Sequence, residues 1–299
     1  MLEPRPLGEV HRVVLYPSEG ERAKEAALTA ASWLLARGTA VALAESFLAR
    51  HRDVMPPGCL GIDPEAVPAD FDVMIALGGD GTLLRAARAV AEVEIPVMGV
   101  NLGTLGFLSA FGASELIDAL QTAVDGRLTW EPRLRMTVEV MRGGGVWSRQ
   151  TACNDTYVKH GATPRMLQLS TMVGGQKMAD FRSDGLIVST PMGSTAYNLA
   201  AGGPIVDPAT DAFIITPICP HSLTHRPVVI SARSPIGITF MGPAAAGGAT
   251  LSVDGQWSVG LEVGDEVSIR AAERPLKLVP PHTSSVFAVL RHKLGWSGM

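Results

Sequence analysis

The residues best suited to chemistry in this chain are a single carboxylate set among glycines, Gly78-Gly79-Asp80-Gly81-Thr82. Val73-Met74-Ile75-Ala76-Leu77 precedes it as an uninterrupted apolar run, the pattern of a parallel strand covered on both faces. Gly78, Gly79 and Gly81 are expected to adopt positive φ and to let a ligand approach the backbone closely. Thr82 is expected to cap a helix whose Leu83, Leu84, Ala87 and Val90 recur near helical spacing. Free N–H groups at such a turn favour phosphate. An acid standing where an anion would bind implies a metal or a proton to be handled, and the combination points to phosphoryl transfer. Arg85, just beyond, offers a further anion contact. Turn chemistry alone accounts for the glycines, but not for the acid among them. The loop is neither the lysine-bearing GxxxxGK[ST] cradle nor the GxGxxG fingerprint of dinucleotide-binding dehydrogenases.

Further along, Asn101-Leu102-Gly103-Thr104-Leu105-Gly106-Phe107-Leu108 follows a second apolar run, Ile95–Val100, at the carboxyl end of an expected strand. Asp184-Gly185-Leu186-Ile187-Val188-Ser189-Thr190-Pro191-Met192-Gly193-Ser194-Thr195-Ala196-Tyr197 reads as a strand entering a hydroxyl-rich turn, with a helix from about Ser194. There Thr195 can bond a polar ligand edge, Ala196 leaves room for a flat ring and Tyr197 offers a stacking face. Helix capping explains the same Ser and Thr residues equally well, and Tyr197 as a core residue is the plain alternative. The pair Asn154-Asp155 suits the gripping of ribose hydroxyls, or simply a turn. Lys159, Arg165 and Arg182 are candidate phosphate contacts or solvated cations. His221 and His225 have the spacing of a helical metal pair, but Pro217, Pro220 and Pro227 argue against a helix there.

These segments need a framework. The 299 residues leave room for two domains, and 46% hydrophobic against 18% charged residues specify a globular chain. A net charge of -4 argues against bulk binding of nucleic acid or acidic membranes. No apolar run is long enough to span a membrane, and MLEPRPLGEV lacks the layout of a secretory signal. Three widely separated cysteines, Cys59, Cys153 and Cys219, suggest a reducing cytoplasm rather than a disulfide framework or zinc site. Up to about residue 126 strands and helices alternate: strand Val13–Tyr16, helix Glu21–Ala36, strand Ala40–Ala44, a proline-rich loop from His51 to Asp70, then the glycine-loop unit, strand Ile95–Val100 and helix Leu116–Val124. This is the βαβα pattern of an open parallel sheet. From 127 to 275 short strand-like runs separated by Gly and Pro indicate a β-rich second domain. Residues 276–299, with a helix over Ser284–Leu294, are expected to return to the first domain.

Taken together, GGDGTLLRAAR, NLGTLGFLS, the Asn-Asp pair, DGLIVSTPMGSTAYNLAAGGPI, ITPICPHSLTHRPVVI, DGQ at Asp254–Gln256 and VLRHKLGW closely resemble the NAD kinase family, in its order and over roughly residues 70 to 295. The GGDGT element is shared with phosphofructokinase-like and lipid-kinase-like families; the later motifs are far more specific. The resemblance implies a Rossmann-like α/β domain followed by a β-rich domain, NAD bound between them, a homodimer or homotetramer, and transfer of a phosphoryl group to the 2′-hydroxyl of the adenosine ribose, giving NADP. It implies Asp80 as general base with Gly81 beside it, and a donor loop of Gly78, Gly79, Gly81, Thr82 and Arg85. NAD contacts are implied at Phe107, Asn154, Asp155, Arg165, Arg182, Asp184, Thr195, Ala196, Tyr197, Asn198, Ala200 and Gln256. Magnesium is expected on the donor, which is ATP or inorganic polyphosphate, and NAD is expected over NADH with Arg182 as discriminator. Two positions depart from the family pattern: Asp155 stands for the commoner Glu, and Met192 for a Thr. A lipid or sugar kinase is the first competing reading and a non-catalytic dinucleotide sensor the second.

Overall fold

The computed structural model describes residues 4–103, 106–161, 166–242, 248–280 and 286–296. The chain divides into two units, Met1–Pro132 with Leu276–Met299, and Arg133–Pro275. In chain order the first unit contains β1 (Arg5–Pro6), β2 (Arg12–Pro17), α1 (Glu21–Leu35), β3 (Ala40–Ala44), α2 (Glu45–Arg50), β4 (Leu60–Ile62), β5 (Val73–Gly78), α3 (Asp80–Ala89), β6 (Val97–Asn101), β7 (Phe111–Gly112), α4 (Leu116–Val124) and β8 (Thr129–Arg133). The second contains β9 (Met136–Arg142), β10 (Gly145–Ala152), β11 (Asp155–His160), β12 (Leu167–Val173), β13 (Gln176–Ser183), β14 (Gly185–Ser189), α5 (Tyr197–Ala200), β15 (Ala212–Ile218), β16 (Val228–Ser231), β17 (Ile236–Gly242), β18 (Ala249–Val253), β19 (Trp257–Leu261) and β20 (Glu266–Ala271). The chain then returns to the first unit as β21 (Leu276–Leu278) and α6 (Val286–Leu294).

The first unit is a nine-stranded sheet in the order β1-β8-β21-β6-β5-β2-β3-β4, with β7 beside β6. The pairs from β6 through β4 are all parallel, as is β21 on β6; β1 on β8 is antiparallel. Every residue of β5 is buried, which is what a strand covered on both faces requires. The small residues Ala23, Ala26, Ala27, Ala30 and Ala31 let α1 lie close to the sheet, and Leu116 and Leu120 of α4 join the same core. Leu83, Leu84, Ala86 and Ala87 are the buried side of α3. Val289 and Leu290 are the buried residues of α6. Among the described residues no helix is long and apolar enough to cross a membrane.

The second unit consists of two six-stranded antiparallel sheets, β10-β9-β20-β17-β12-β13 and β16-β15-β14-β11-β18-β19. Alternating residues such as Val138, Leu169, Ile238 and Ile269 from one sheet share a core with Val158, Leu186, Phe213 and Leu251 from the other. An α/β unit followed by a β-rich one is the expected fold class.

Several local expectations are corrected. The proline-rich segment is not all loop, because Leu60–Ile62 extends the sheet edge beside β3. α2 follows β3 directly, and β13 and β19 are strands that the apolar pattern did not reveal. In the second unit, Gly145–Ala152 and Asp155–His160 are separate strands parted at Cys153-Asn154. A 3-10 turn at Met192–Thr195 and the short α5 replace the single helix expected from Ser194.

Candidate functional site

In the first unit, β5 delivers the chain to Gly78 and α3 begins at once with Asp80 in its first turn. None of Gly78, Gly79 and Gly81 adopts positive φ; Gly79 is extended, with φ -97° and ψ -173°. What Gly78 provides instead is close approach, since a Cβ there would lie 2.4 Å from the Thr82 hydroxyl and 3.0 Å from Ser18 Cβ. Thr82 is likewise not the cap: Gly79 occupies that position, and Thr82 sits inside the helix with its N–H donating to Gly79. Arg85 donates to the Thr82 hydroxyl at 3.3 Å and is otherwise exposed.

The loop after β6 wraps the Asp80 carboxylate. The Phe107 N–H donates to Oδ2 at 2.8 Å, the Leu108 N–H to Oδ1 at 3.3 Å, and the Ser109 hydroxyl to Oδ1 at 3.5 Å. Gly106 lies flat against this carboxylate, because a Cβ built there would fall 1.9 Å from Oδ1. Asp80 is thus a pre-positioned acceptor at the carboxyl end of a central strand, beside unoccupied backbone space at Gly79 and Gly81. Phe107 contributes its backbone here, a role that residue type alone does not disclose.

A second cluster forms at one corner of the second unit. The carboxylate of Asp254 accepts three successive backbone N–H groups, from Cys153 at 2.8 Å, Asn154 at 2.7 Å and Asp155 at 3.0 Å. Asp254 itself sits at φ 50°, and Gly255 follows at φ 64°, in the turn that joins β18 to β19. Gln256 closes the turn with its N–H on Val253 O at 3.0 Å. The hydroxyl-rich turn clamps the same corner from the other side. Thr190 donates its hydroxyl to Cys153 O at 2.5 Å, Ser189 donates to Asn154 O at 3.2 Å, and Gly193 packs so tightly that a Cβ would lie 2.1 Å from Asn154 O. Ser194 exchanges hydrogen bonds with the backbone of Val206 and caps no helix. Met192 turns inward and is buried.

This scaffold leaves Asp155 4% exposed. Burial first, and then the charge of Asp254, push its carboxyl up to about 7, against the lowering effect of the Tyr197 N–H. Tyr197 packs edge-on against Tyr157 with ring centroids 4.8 Å apart and stays 37% exposed. Burial, with Tyr157, Asp155, Cys219 and Asp184 as neighbours, raises its phenol. The Asn154 side-chain oxygen is buried and has no hydrogen-bond partner among the described residues. A buried orphan acceptor, a buried carboxylate and an open aromatic face are what a nucleoside needs from a protein.

The expected residues therefore fall into two groups and a remainder. Asp80, Gly78, Gly79, Gly81, Thr82, Arg85 and Phe107 share the first unit's loop, whereas Asn154, Asp155, Asp184, Tyr197 and the Gln256 turn share the second unit's corner. Thr195 and Ala196 are half-buried beside Tyr197, and Ala200 is exposed on α5. Asn198 is turned inward and fully buried: its amide donates to Ser194 O and Pro204 O, and its oxygen accepts from Thr216. It bolts α5 to β15. Arg182 is exposed on β13. Arg165 lies outside the described residues. Asp254 is the residue that sequence reasoning passed over, although its Asp-Gly turn was in view. Among the described residues no three His, Cys, Asp or Glu side chains cluster as a metal cage. A carboxylate beside a phosphate loop still suits magnesium, which keeps its waters and is carried mainly by substrate phosphates.

Comparison with known proteins agrees across both units. The ATP-NAD kinase N-terminal domain family matches residues 17–128 and the ATP-NAD kinase C-terminal domain family residues 153–281. The NAD kinase of Geobacter sulfurreducens is 41% identical over 265 residues, covering 89% of this chain and 91% of its own. That of Solibacter usitatus is 41% identical over 264 residues, 88% and 90% of the two chains. Among solved structures, a yeast NADH kinase complexed with NADH superposes with a TM-score of 0.88 at 25% identity over 97% of this chain and 89% of its own. An NAD kinase from Archaeoglobus fulgidus in complex with ATP gives 0.72 at 25% identity, over 96% and 99%.

Proposed function

This chain belongs to the NAD kinase family and is an NAD kinase, phosphorylating NAD to NADP with ATP; we propose that Asp80 is its general base and that the Asn154–Asp155 corner seats the adenosine of NAD. The observation that carries the first assignment is the capture of the Asp80 carboxylate by two backbone N–H groups and one hydroxyl in a loop otherwise made of glycine. Phosphoryl transfer calls for alignment and charge neutralisation more than covalent help. The 2′-oxygen attacks the γ-phosphorus as the bond from that phosphorus to the β–γ bridging oxygen breaks, and ADP departs. Asp80 accepts the 2′-hydroxyl proton and passes it to water. Magnesium on the donor would neutralise charge at the β and γ oxygens. The N–H groups around Gly79 and Gly81, with Arg85, face the phosphates.

On the acceptor's adenosine, Asp155 and Asn154 bond the ribose and base edge, Tyr197 offers its ring, and Asp184, Thr195, Ala196, Ala200 and Gln256 line the approach. Arg182 remains the candidate that discriminates NAD from NADH. Asn198 is a positioning residue for this segment. The free cysteines suit a reducing cytoplasm. The exposed edge strand β16, with Val228 and Val229 outward, suits a homodimer or homotetramer, which light scattering measures directly.

The test is NADP formation by the purified protein with magnesium and NAD, using ATP and polyphosphate in parallel. Asp80→Asn should retain NAD binding and lose turnover by about 10²–10⁴-fold. Turnover of the variant at the wild-type rate would refute the base assignment.

A further inference from the structure

The chain changes sheets between β10 and β11, and the break falls on Cys153 and Asn154. A residue inside a strand gives its N–H to a neighbouring strand, but a residue at a change of sheet has no ladder to use. Cys153 and Asp155 are buried and Asn154 is half-buried, so water is a poor substitute. Side chains from two directions replace the ladder. The carbonyls of Cys153 and Asn154 receive the Thr190 and Ser189 hydroxyls, and Asn154 O also accepts the Thr190 N–H at 2.8 Å. The N–H groups go to one side chain, Cys153 to Oδ2 of Asp254 and both Asn154 and Asp155 to Oδ1. The contact is reciprocal, because the Asp254 N–H donates to Asp155 O at 2.8 Å.

Turn chemistry alone does not call for an aspartate here. The Gln256 N–H closes onto Val253 O across Asp254 and Gly255, both at positive φ, the two central residues of a hairpin turn. Asparagine suits the first central position at least as well as aspartate does. What asparagine cannot do is accept N–H groups on both terminal atoms, since one of them is an NH2 donor. A carboxylate takes Cys153 on one oxygen and its two successors on the other, and its charge makes each bond stronger than one to a neutral amide. The segment so restrained carries the two side chains assigned to the acceptor. Asn154 presents a buried oxygen with no hydrogen-bond partner among the described residues, and Asp155 a carboxyl within a residue only 4% exposed. A side-chain oxygen with no partner of its own is aimed by the backbone that carries it.

We propose that Asp254 is a positioning residue for the acceptor: by gathering the N–H groups of Cys153, Asn154 and Asp155, it fixes the backbone from which Asn154 and Asp155 meet the adenosine before NAD arrives. The assignment rests on the reading of this corner as the adenosine seat and adds what holds that seat in shape. A seat ordered in advance spares binding the cost of ordering it.

Asp254→Asn in the full chain separates the two roles of this residue. It keeps the turn, and keeps an oxygen for Asn154 and Asp155, but sets an NH2 against the Cys153 N–H. Assays at pH 8.5, above the value of about 7 for Asp155, hold that carboxyl ionised in both proteins. The KM for NAD should rise about tenfold, the scale of one lost buried hydrogen bond, with the KM for ATP unchanged. Asn154→Ala should also raise the KM for NAD, and the double variant should fall short of the product of the two single effects, because Asp254 acts through the segment that Asn154 belongs to. Effects that multiply would overturn the proposal. A raised KM for NAD in Asn154→Ala with a normal one in folded Asp254→Asn would refute the proposal alone, whereas a normal KM in Asn154→Ala would refute the adenosine reading and the proposal with it. Independently of any variant, the amides of Cys153, Asn154 and Asp155 should be as protected from hydrogen exchange in the unliganded enzyme as with NAD bound. Protection that appears only with NAD would mean that the ligand, and not Asp254, orders the segment, and would overturn the proposal.

Discussion

Asparagine in place of Asp155 should make the second unit more stable, by an amount that grows with pH. Asp155 is buried beside the Asp254 carboxylate, and its carboxyl is raised from 3.8 to about 7. An unfolded chain loses this proton near the ordinary value, so between about pH 4 and pH 7 the folded protein holds a proton that the unfolded chain has released. With more protons bound to the folded state, stability falls as pH rises through that window and levels off above it. The interval from 3.8 to about 7 amounts to about 4 kcal/mol in all, or about 1.4 kcal/mol per pH unit. Asparagine keeps the shape and has no proton to lose. The stability of Asp155→Asn relative to wild type should therefore climb by about 1.4 kcal/mol per unit from pH 5 to 7 and plateau by about pH 8. Urea unfolding followed by hydrogen exchange at the β11 peptide measures this at the relevant strand. Parallel stability curves for the two proteins across pH 5–8.5 would refute the reasoning, because they would mean that Asp155 ionises no differently in the folded chain.

Gly106→Ala should push the Asp80 carboxylate off the Phe107 N–H, since the new Cβ would lie 1.9 Å from Oδ1; kcat should fall by about 10²-fold with NAD affinity retained, and kcat within twofold of wild type would show that the loop yields instead. Asp254→Ala orphans the N–H groups of Cys153, Asn154 and Asp155, at about 1–3 kcal/mol for each one that stays dry, and removes the charge that helps to raise Asp155. A lower urea midpoint, together with a shallower pH dependence than wild type, is the expected pair of results.

What the sequence disclosed and what it hid have separate physical origins. The β5–Gly–α3 unit was legible because a fully buried strand writes a continuous apolar run and a helix with one buried side writes a period, both local signals. β13, QKMADFRS, shows mostly polar residues along an outer edge of its sheet, and β4 is three residues with Leu60 45% exposed, so neither leaves an apolar signature. Positive φ was expected at Gly78, Gly79 and Gly81 and none adopts it; the tight packing at Gly78, Gly106 and Gly193 leaves no trace in the residue type that distinguishes it from positive φ. The internal bonds of Asp254 and Asn198 were not legible because their partners are distant. The three N–H groups on Asp254 come from residues 99 to 101 positions away, and the Thr216 hydroxyl that engages Asn198 lies 18 positions on. Motif reading finds such residues; only the fold says which way they point.

The return of the chain to its first sheet bears on how the protein is made. β21 is the sole neighbour through which β8, and with it β1, joins the rest of that sheet. A ribosome that has released Met1–Pro132 has therefore delivered every strand of the first unit except the one that connects them. Until Leu276–Leu278 emerge, the part of the β6 edge that β7 does not cover stays open and the β1–β8 ribbon has nowhere to dock. Completion of the glycine loop's own sheet is thereby tied to synthesis of nearly the whole polypeptide, and a chain cut short before β21 is marked by a partly unpaired edge.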